Sequence, residues 1–215
     1  MYSMETNEQL IQHLISNGYL KTKKLVDALR KYPRELFVPG NVKQLAYRDI
    51  PLFIGHGQTI SQPSTVIVMT EFLDVKKGQK VLEIGAGSGW QAALISELVG
   101  NKGKVYTVDI IQELVQFASN NLKKVGIKNV EVIRADGSLG LKEHAPFDRI
   151  IVTAACPEIP KPLIEQLKTD GKMVIPVGSM YLQEMFVLMK KKEEIEKEII
   201  GHFQFVPLVG KYGFK

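Results

Sequence analysis

The segment KVLEIGAGSG, residues 80–89, joins a run typical of a buried β-strand to a glycine-rich loop. A helical pattern follows directly over residues 90–99. Glycines at such a junction let the backbone turn tightly and let a ligand approach without meeting a Cβ atom. Open α/β sheets bind their ligands at this kind of strand-to-helix junction. The segment therefore predicts the first strand, the ligand loop and the first helix of such a sheet.

Strand-like runs alternate with helical patterns through the rest of the chain, which predicts a doubly wound, mainly parallel, Rossmann-like α/β sheet covered on both faces. The strand-like runs are residues 80–84, 104–108, 130–134, 148–152 and 173–177, and the helical patterns lie near 90–99, 111–125 and 161–168. The tail holds two more candidate strands, 185–190 and 202–208, joined by the charged segment KKEEIEKE. These two runs predict an antiparallel addition at the sheet edge.

The first 61 residues read as a cover over this sheet. Helical spacing of apolar residues predicts two short helices, with Thr22 as a possible cap of the second and Pro33 as its stop. Residues 33–61 are rich in proline and glycine and predict irregular structure, and residues 62–73 predict a helix. We expect one domain over residues 1–215, with a cover (1–61), a cofactor-binding core (62–178) and C-terminal strands (179–215).

Composition excludes several classes of protein. The chain is 45% hydrophobic and 24% charged, which excludes wholesale disorder. Its apolar runs are too short to cross a bilayer, its N-terminus lacks an apolar signal core, and its single cysteine cannot form an internal disulfide. We expect a cytoplasmic protein with no bound metal and no membrane partner. The net charge of +5 is spread over runs of mixed sign, so nucleic acid is not an expected partner.

Acidic residues follow three successive strands and point to the chemistry of the ligand. Glu83 lies two residues before the first glycine, Asp109 ends the second strand and can accept both ribose hydroxyls, and Asp136 follows the third strand and can accept from an adenine amino group. The Gly-x-Gly-x-Gly spacing differs from the nicotinamide fingerprint, and Glu83 disfavours a diphosphate. These residues predict binding of the cationic cofactor S-adenosylmethionine. The candidate cofactor residues are Glu83, Gly85, Gly87, Gly89, Asp109, Ile110, Asp136 and Gly137.

The residues after the fourth strand disfavour three classes of methyltransferase. They read TAACPEIP (153–160), which lacks the Asn/Asp-Pro-Pro-Tyr motif of base-modifying amino-methyltransferases. Cys156-Pro157 reverses the Pro-Cys order of cytosine C5 enzymes, so we interpret Cys156 as a small buried residue. Arginine methylation needs paired acids, and this loop offers only Glu158.

Motifs outside the glycine loop point to one family. They are PRELFVP (33–39), AYRDIPL (46–52), IGHGQTISQP (54–63), VLEIGAGSGW (81–90), FDRIIVTAA (147–155), PEIP (157–160), IPVG (175–178) and FVPL (205–208). Through them the chain resembles the protein-L-isoaspartate O-methyltransferase family over nearly its whole length. The GQTISQP segment is the most specific, because other methyltransferases share only the glycine loop. Cys156 and Trp90 depart from the usual pattern without removing a polar group that the mechanism needs.

The resemblance implies a monomeric repair enzyme with the class I S-adenosylmethionine-dependent methyltransferase fold. Such an enzyme methylates the free α-carboxylate of L-isoaspartyl residues in damaged proteins and peptides and releases S-adenosylhomocysteine. The ester then cyclises to a succinimide, whose hydrolysis returns some aspartate. Because a carboxylate is already ionised at pH 7, the site needs no strong general base.

The resemblance also implies roles for residues outside the glycine loop. It places Ser61 in the active site, where its hydroxyl can orient the attacking carboxylate, and it places Gln58 and Thr59 beside the cofactor. The alternative for Ser61 is a cap of the helix that begins near Gln62. Candidates for the substrate groove are Ala154, Ala155, Pro157, Ile159, Gly178 and Gln183, with residues 207–209.

Three other functions stay open at this point. The first is a methyltransferase acting on another acceptor, a small carboxylate or RNA. The second is a nicotinamide-dependent dehydrogenase, against which the glycine spacing counts. The third is a non-enzymatic binding module that keeps the fold and uses its basic surface for RNA.

Overall fold

The computed structural model describes residues 4–215 and has a seven-stranded sheet at its centre. The strands are β1 (Leu52–Gly55), β2 (Gln58–Ile60), β3 (Lys80–Ile84), β4 (Lys104–Asp109), β5 (Val130–Arg134), β6 (Phe147–Val152), β7 (Leu167–Gly178), β8 (Gln183–Lys190) and β9 (Ile195–Phe203). The helices are α1 (Asn7–Ser16), α2 (Lys23–Lys31), α3 (Pro63–Leu73), α4 (Trp90–Val99), α5 (Gln112–Lys124) and α6 (Lys161–Gln166).

The central sheet has the order β5-β4-β3-β6-β7-β8-β9. The five strands β3, β4, β5, β6 and β7 pair in parallel. Strand β8 pairs antiparallel with β7, and β9 pairs antiparallel with β8. The chain leaves β3 toward β4 and β5 and then returns to the other side of β3 with β6. The strand order therefore reverses beside β3, and the carboxyl ends of β3, β4 and β6 meet at one edge. The predicted doubly wound sheet with an antiparallel edge is confirmed.

Alternation along the strands builds a core on each face of the sheet. On β6, Ile151 joins the cluster that includes α1 to α4, whereas Ile150 and Val152 join the cluster that includes α6. Because successive side chains of a strand point to opposite faces, one apolar run supplies both cores. Both faces of the sheet are therefore covered, as the uninterrupted apolar strands predict.

The cover matches its prediction in outline and adds one element. Helix α2 begins after Thr22, although the Thr22 side chain makes no cap hydrogen bond, and it ends at Lys31, before Pro33. The segment from residue 33 contains two 3-10 helices, Arg34–Leu36 and Gly40–Leu45. The hairpin of β1 and β2 within this segment was not predicted, because its strands are only four and three residues long.

The prediction for the last strand was wrong. Strand β9 spans Ile195–Phe203 rather than 202–208, so part of the charged segment is itself a strand. It lies at the sheet edge with mostly exposed side chains and lacks the apolar alternation that marks a half-buried strand. Residues 204–209 leave the sheet, and the carbonyl of Val206 accepts a 2.8 Å hydrogen bond from the N–H of Ala155.

Strand β7 also begins earlier than predicted, at Leu167, so α6 ends at Gln166 rather than 168. The ammonium of Lys190 donates to the carbonyls of Ile164 and Leu167 over 2.8 and 2.7 Å. A cation from β8 thus satisfies carbonyls at the end of this helix. Among residues 4–215 no helix has the length and apolarity that a membrane crossing requires.

Candidate active site

A cleft of about 860 Å³, its open mouth included, lies at the carboxyl ends of β3, β4 and β6. It is lined by the hairpin and the residue after it, by the ends of the three strands, by the start of α4 and by the tail after β9. The predicted site residues that line it are Gln58, Thr59, Ser61, Glu83, Gly85, Gly87, Asp109, Ile110, Gly137 and Ala154. The fold thus brings residues from distant parts of the sequence to one cleft.

The glycine loop has two glycines that line this cleft. Gly85 has a φ of 102°, and a Cβ atom there would collide with the Thr153 hydroxyl. That hydroxyl donates to the carbonyls of Ile84 and Gly85 over 2.9 and 3.0 Å, which ties β6 to the loop. Gly87 has a φ of 50°, which an L side chain rarely adopts. The loop therefore depends on glycine for both its conformation and its packing.

Gly89 serves helix packing in this structure. It precedes α4 with a φ of 82°, and a Cβ atom there would lie 3.2 Å from Leu122 and 3.3 Å from Ala118, both on α5. It is not among the residues that line the cleft. The close approach of α4 and α5 accounts for this glycine without a ligand.

The Asp109 carboxylate is held by two backbone donors. Its Oδ2 accepts from the N–H of Gly87 and its Oδ1 from the N–H of Ile111, each over 3.0 Å. Ile110 and Ile111 line the cleft beside it. Each carboxylate oxygen has a second lone pair, so Asp109 can still accept from a pair of hydroxyls. This arrangement fits the ribose role predicted for it.

Glu83 lies on the buried side of the cleft with only 1% of its surface exposed. Its Oε2 has no hydrogen-bond partner among the described residues. Burial raises the pKa of Glu83 to about 8, the Asp109 charge adds to the rise, and the Thr107 side chain on the neighbouring strand opposes it. An unpartnered buried carboxylate is costly unless a ligand cation pairs with it. Glu83 therefore fits a cationic ligand.

Asp136 is engaged by the chain itself. Its Oδ1 accepts from the N–H and hydroxyl of Ser138 over 2.9 and 2.6 Å, and its Oδ2 accepts from the N–H of Lys211 over 2.8 Å. Gly137 lines the cleft, and Asp136 is not among the lining residues. The contact of Asp136 with adenine stays a prediction. In the structure its carboxylate holds the C-terminal tail in place through the hydrogen bond from Lys211.

Ser61 lines the cleft, and its hydroxyl has no hydrogen-bond partner within residues 4–215. The alternative that it caps α3 is wrong, because the N-cap residue is Gln62. The helix N-terminus is satisfied from elsewhere, since Oδ1 of Asp49 accepts from the N–H of Ser64 over 2.8 Å. The Ser61 hydroxyl therefore remains available to a ligand.

The structure brings together only part of the predicted substrate groove. Ala154 lines the cleft, Pro157 is exposed and Ile159 is half-buried. Ala155 is completely buried, and its N–H and carbonyl already bond to Val206 and Leu208 over 2.8 Å. Because the tail occupies both backbone groups of Ala155, and its side chain is buried, we do not assign Ala155 a direct substrate contact.

Gly178 and Gln183 lie at the turn between β7 and β8, outside the residues that line the cleft. A Cβ atom on Gly178 would lie 2.5 Å from the carbonyl oxygen of Leu182. Gln183 is completely buried, and its Oε1 accepts from the N–H of Phe205 over 2.8 Å. The side chain of Gln183 therefore fastens the tail to the sheet, so we do not assign it a direct substrate contact.

Sequence reasoning missed residues that shape the site through the tertiary fold. Thr153 supports the glycine loop. Val206 lines the cleft beside residues 207–209, which were predicted. Arg34, which is completely buried, donates to the carbonyls of Ile60 and Ser61. The motif PRELFVP was a signal for Arg34 only as part of a family resemblance, and nothing local indicated its partners.

Cys156 is completely buried, and burial raises the pKa of its thiol to about 12. The interpretation as a small buried residue is confirmed, and a thiolate nucleophile at this position is excluded at neutral pH. Within the described ranges there is no group of three His, Cys, Asp or Glu side chains that could hold a metal ion.

Comparison with known proteins gives one family. The sequence profile described as protein-L-isoaspartate(D-aspartate) O-methyltransferase matches residues 5–213. A protein-L-isoaspartate O-methyltransferase of Hyperthermus butylicus is 50% identical over 98% of this chain and 91% of its own length. That of Methanothrix thermoacetophila is 50% identical over 97% of each chain.

Solved structures agree in fold. A structure titled protein-L-isoaspartate O-methyltransferase is 30% identical with a TM-score of 0.86, over 97% of this chain and 67% of its own. A Plasmodium falciparum protein, titled a putative protein-L-isoaspartate O-methyltransferase in complex with S-adenosyl-L-homocysteine, has a TM-score of 0.86 at 24% identity, over 96% of this chain and 99% of its own. The second likeness shows the shared fold alone.

Proposed function

Because this chain belongs to the protein-L-isoaspartate(D-aspartate) O-methyltransferase family, we propose that it transfers a methyl group from S-adenosylmethionine to the free α-carboxylate of L-isoaspartyl residues. Its substrates are damaged proteins and peptides in which asparagine has deamidated or aspartate has isomerised. The methyl ester cyclises without the enzyme to a succinimide, and hydrolysis of that ring returns some aspartate.

The cleft has the donor and acceptor set that S-adenosylmethionine needs. Asp109 accepts ribose hydroxyls, Ile110 and Ile111 contact the adenine ring, and the buried carboxylate of Glu83 balances positive charge. A loop with glycine at 85 and 87 leaves room for a ligand at the end of β3. When bound, the cofactor supplies an electrophilic methyl group on a sulfonium.

Residues of the chain place the acceptor and exclude water. Ser61 orients the substrate carboxylate through its free hydroxyl, while Gln58 and Thr59 cover the cleft beside it. An isoaspartyl carboxylate is ionised at neutral pH, so positioning rather than proton removal accelerates the reaction. Ser61 forms no covalent intermediate in this proposal, since no base lies within hydrogen-bond distance of its hydroxyl in the described chain.

One observation carries the proposal. Ser61 and Glu83 line the same cleft, and the Ser61 hydroxyl and the buried Oε2 of Glu83 both lack a hydrogen-bond partner among the described residues. The first suits a carboxylate acceptor and the second a cationic donor. A buried anion beside the glycine loop disfavours a dehydrogenase site, because the dinucleotide cofactor places its negatively charged diphosphate at that position.

Transfer of labelled methyl from S-adenosylmethionine to two synthetic peptides tests this function. The peptides are identical except for one isoaspartyl or one normal aspartyl linkage. We expect label on the isoaspartyl peptide alone and its release in mild base, as for a carboxyl ester. No label on either peptide, with S-adenosylhomocysteine binding intact, would favour the alternative of another acceptor, a small carboxylate or RNA.

The proposal extends to the state of the protein in the cell. We propose a cytoplasmic monomer that forms one methyltransferase domain over residues 1–215. The single free cysteine, which is buried, agrees with a reducing compartment. Analytical ultracentrifugation with and without S-adenosylhomocysteine measures the mass of the protein in solution. The mass of a dimer would contradict the proposed monomer.

A further inference from the structure

Arg34 lies inside the cover, directly behind the segment that lines the cleft. It is completely buried, and the four N–H groups of its two terminal nitrogens serve five backbone carbonyls, so one N–H of Nη2 is shared between two carbonyls, while Nε has no partner among the described residues. The carbonyls are those of Ala46 (3.1 Å), Arg48 (3.2 Å), Ile50 (2.9 Å), Ile60 (3.2 Å) and Ser61 (2.9 Å). One guanidinium therefore holds together two stretches of backbone, the irregular segment 46–50 and residues 60–61 at the end of β2.

We propose that Arg34 is the positioning residue of the active site, setting the backbone at Ile60 and Ser61 and thereby the direction of the Ser61 hydroxyl. The inference rests on the proposed function, because it assigns Arg34 an effect on turnover through Ser61. Arg34 does not line the cleft and has no contact with a ligand in this scheme. It acts only through the carbonyls that it holds.

The chemistry of the side chain suits this task. A guanidinium is planar and presents its donors in a rigid fork, whereas an ammonium is a compact charge on a flexible stem. Five carbonyls around the two terminal nitrogens of Arg34 therefore share one fixed geometry. A lysine at this position keeps the charge but has only three donors on one atom.

The guanidinium is itself held in place. Its central carbon lies 5.6 Å from the ring centre of Trp90, which lines the cleft, and the Trp90 indole N–H donates to the carbonyl of Tyr32 over 3.0 Å. Burial lowers the pKa of Arg34 to about 9, and the Asp49 charge partly opposes this change, so the group stays charged at pH 7. Its position is thus set by an aromatic ring on one side and carbonyl dipoles on the other.

A second residue fixes the same segment from its far end. Oδ1 of Asp49 accepts from the N–H of Ser64 over 2.8 Å, three residues beyond Ser61. Arg34 therefore holds the carbonyls at Ile60 and Ser61, and Asp49 holds the first turn of α3. The Ser61 backbone lies between these two anchors.

Arg149 offers a matched control. It is also buried, 8% exposed, and donates to the carbonyls of Leu73 (2.8 Å), Asp74 (3.2 Å) and Asp148 (2.9 Å). It lies on β6 four residues before Thr153, about 13 Å from that residue along the strand, and is not among the residues that line the cleft. Loss of its hydrogen bonds perturbs stability without touching the segment 60–61.

The experiment compares Arg34→Lys with Arg149→Lys. It measures kcat and KM for the isoaspartyl peptide, the affinity for S-adenosylhomocysteine by calorimetry, and urea unfolding. For Arg34→Lys we expect kcat to fall about tenfold to a hundredfold, as for a displacement near 1 Å, with unchanged cofactor affinity. Hydrogen exchange should rise across residues 46–62. Arg149→Lys should lose stability and keep the wild-type kcat.

Equal kcat values for the two variants would overturn the proposal. It would also be overturned if the fall in kcat in each variant were proportional to its loss of stability in urea. If Arg34→Lys does not fold even with S-adenosylhomocysteine present, Asp49→Ala loosens the same segment from its other anchor. A lower kcat with retained cofactor affinity then supports the proposal, and an unchanged kcat overturns it. Inactivity of the wild-type protein on the peptide would instead refute the proposed function, so the two failures are distinct.

Discussion

The backbone N–H of Gly87 donates a 3.0 Å hydrogen bond to Oδ2 of Asp109. The glycine loop after β3 thereby sets the orientation of the carboxylate that ends β4. The other oxygen accepts from Ile111, at the start of α5, so both oxygens are oriented by backbone before a ligand arrives. An acceptor that is already oriented loses little conformational freedom when it binds hydroxyls.

Replacing Asp109 with Asn should weaken cofactor binding. The change removes the negative charge. It also places the NH2 of the new amide, which can only donate, opposite one of the two backbone N–H groups that now donate to Asp109. We expect each lost charge-assisted hydrogen bond to the ligand to cost about 1.5–3 kcal/mol of binding free energy. Titration calorimetry with S-adenosylhomocysteine measures this loss of binding free energy. The control is Asp170→Asn, which changes an exposed acid in β7. Equal affinities of the two variants would contradict the ribose assignment.

Replacing Gly85 with Ala should distort the loop and lower cofactor affinity. The new Cβ atom would collide with the Thr153 hydroxyl, whose hydrogen bonds tie β6 to the loop. Gly126→Ala is the matched control, because its φ of 76° is also positive but its Cβ atom would meet nothing within 4 Å. Both variants should lose stability in urea, and only Gly85→Ala should lose affinity for S-adenosylhomocysteine. Similar losses of affinity would show that backbone strain alone explains the glycine.

Ser61→Ala should lower kcat while stability and cofactor affinity stay unchanged. The hydroxyl has no partner in the described structure and does not cap α3, whose N-cap residue is Gln62. Its removal therefore costs the folded protein nothing, and the loss appears only when a carboxylate must be oriented. Initial rates on the isoaspartyl peptide and a urea curve check both statements. Wild-type turnover in the variant would make the hydroxyl dispensable.

Glu83 should make the ligand-free protein less stable as pH rises. Burial raises its pKa from 4.5 to about 8, so between these values the folded state binds more protons than the unfolded state. Stability then falls with increasing pH, by an amount on the order of a few kcal/mol by pH 8. Urea unfolding from pH 5 to pH 9 should show this decline for the wild type. In Glu83→Gln the decline should be much smaller.

The same pKa predicts proton release when a cationic ligand binds. Below pH 8 the Glu83 carboxyl is largely protonated, and a ligand cation stabilises its ionised form. Calorimetry in buffers of different ionisation enthalpy should therefore show release near pH 7 for the wild type and less release for Glu83→Gln. Identical heats for the two proteins would mean that Glu83 stays neutral in the complex.

Asp136→Ala should loosen the C-terminal tail. Its Oδ2 accepts from the N–H of Lys211, and its Oδ1 holds Ser138, whose hydroxyl accepts from the N–H of Tyr212 over 3.0 Å. We expect faster tryptic cleavage after Lys211 and, because the neighbouring residues 206–209 line the cleft, weaker binding of S-adenosylhomocysteine. Mass spectrometry follows removal of residues 212–215. Weaker binding without faster cleavage would instead support a direct contact between Asp136 and adenine.

The sequence by itself determined the parallel part of the sheet and the centre of the ligand site, but not the bounds of β7 or the position of β9. Apolar runs such as 80–84 and 130–134 match β3 and β5 residue for residue, and the pattern over 90–99 matches α4. These features are local, because hydrophobic periodicity and glycine placement act over one strand or one turn. Since the carboxyl ends of parallel strands meet at one edge, Glu83 and Asp109 could be placed in one cleft from spacing alone.

Only the tertiary structure decided which side chains hold that cleft in shape. Arg34 reaches Ser61 across 27 positions, and Asp136 reaches Lys211 across 75. Such hydrogen bonds leave no local pattern, because the donors and acceptors are backbone groups that every residue carries. For the same reason the sequence assigned Ala155 and Gln183 to a groove, although the tail 205–208 occupies the backbone groups of Ala155 and the Oε1 of Gln183.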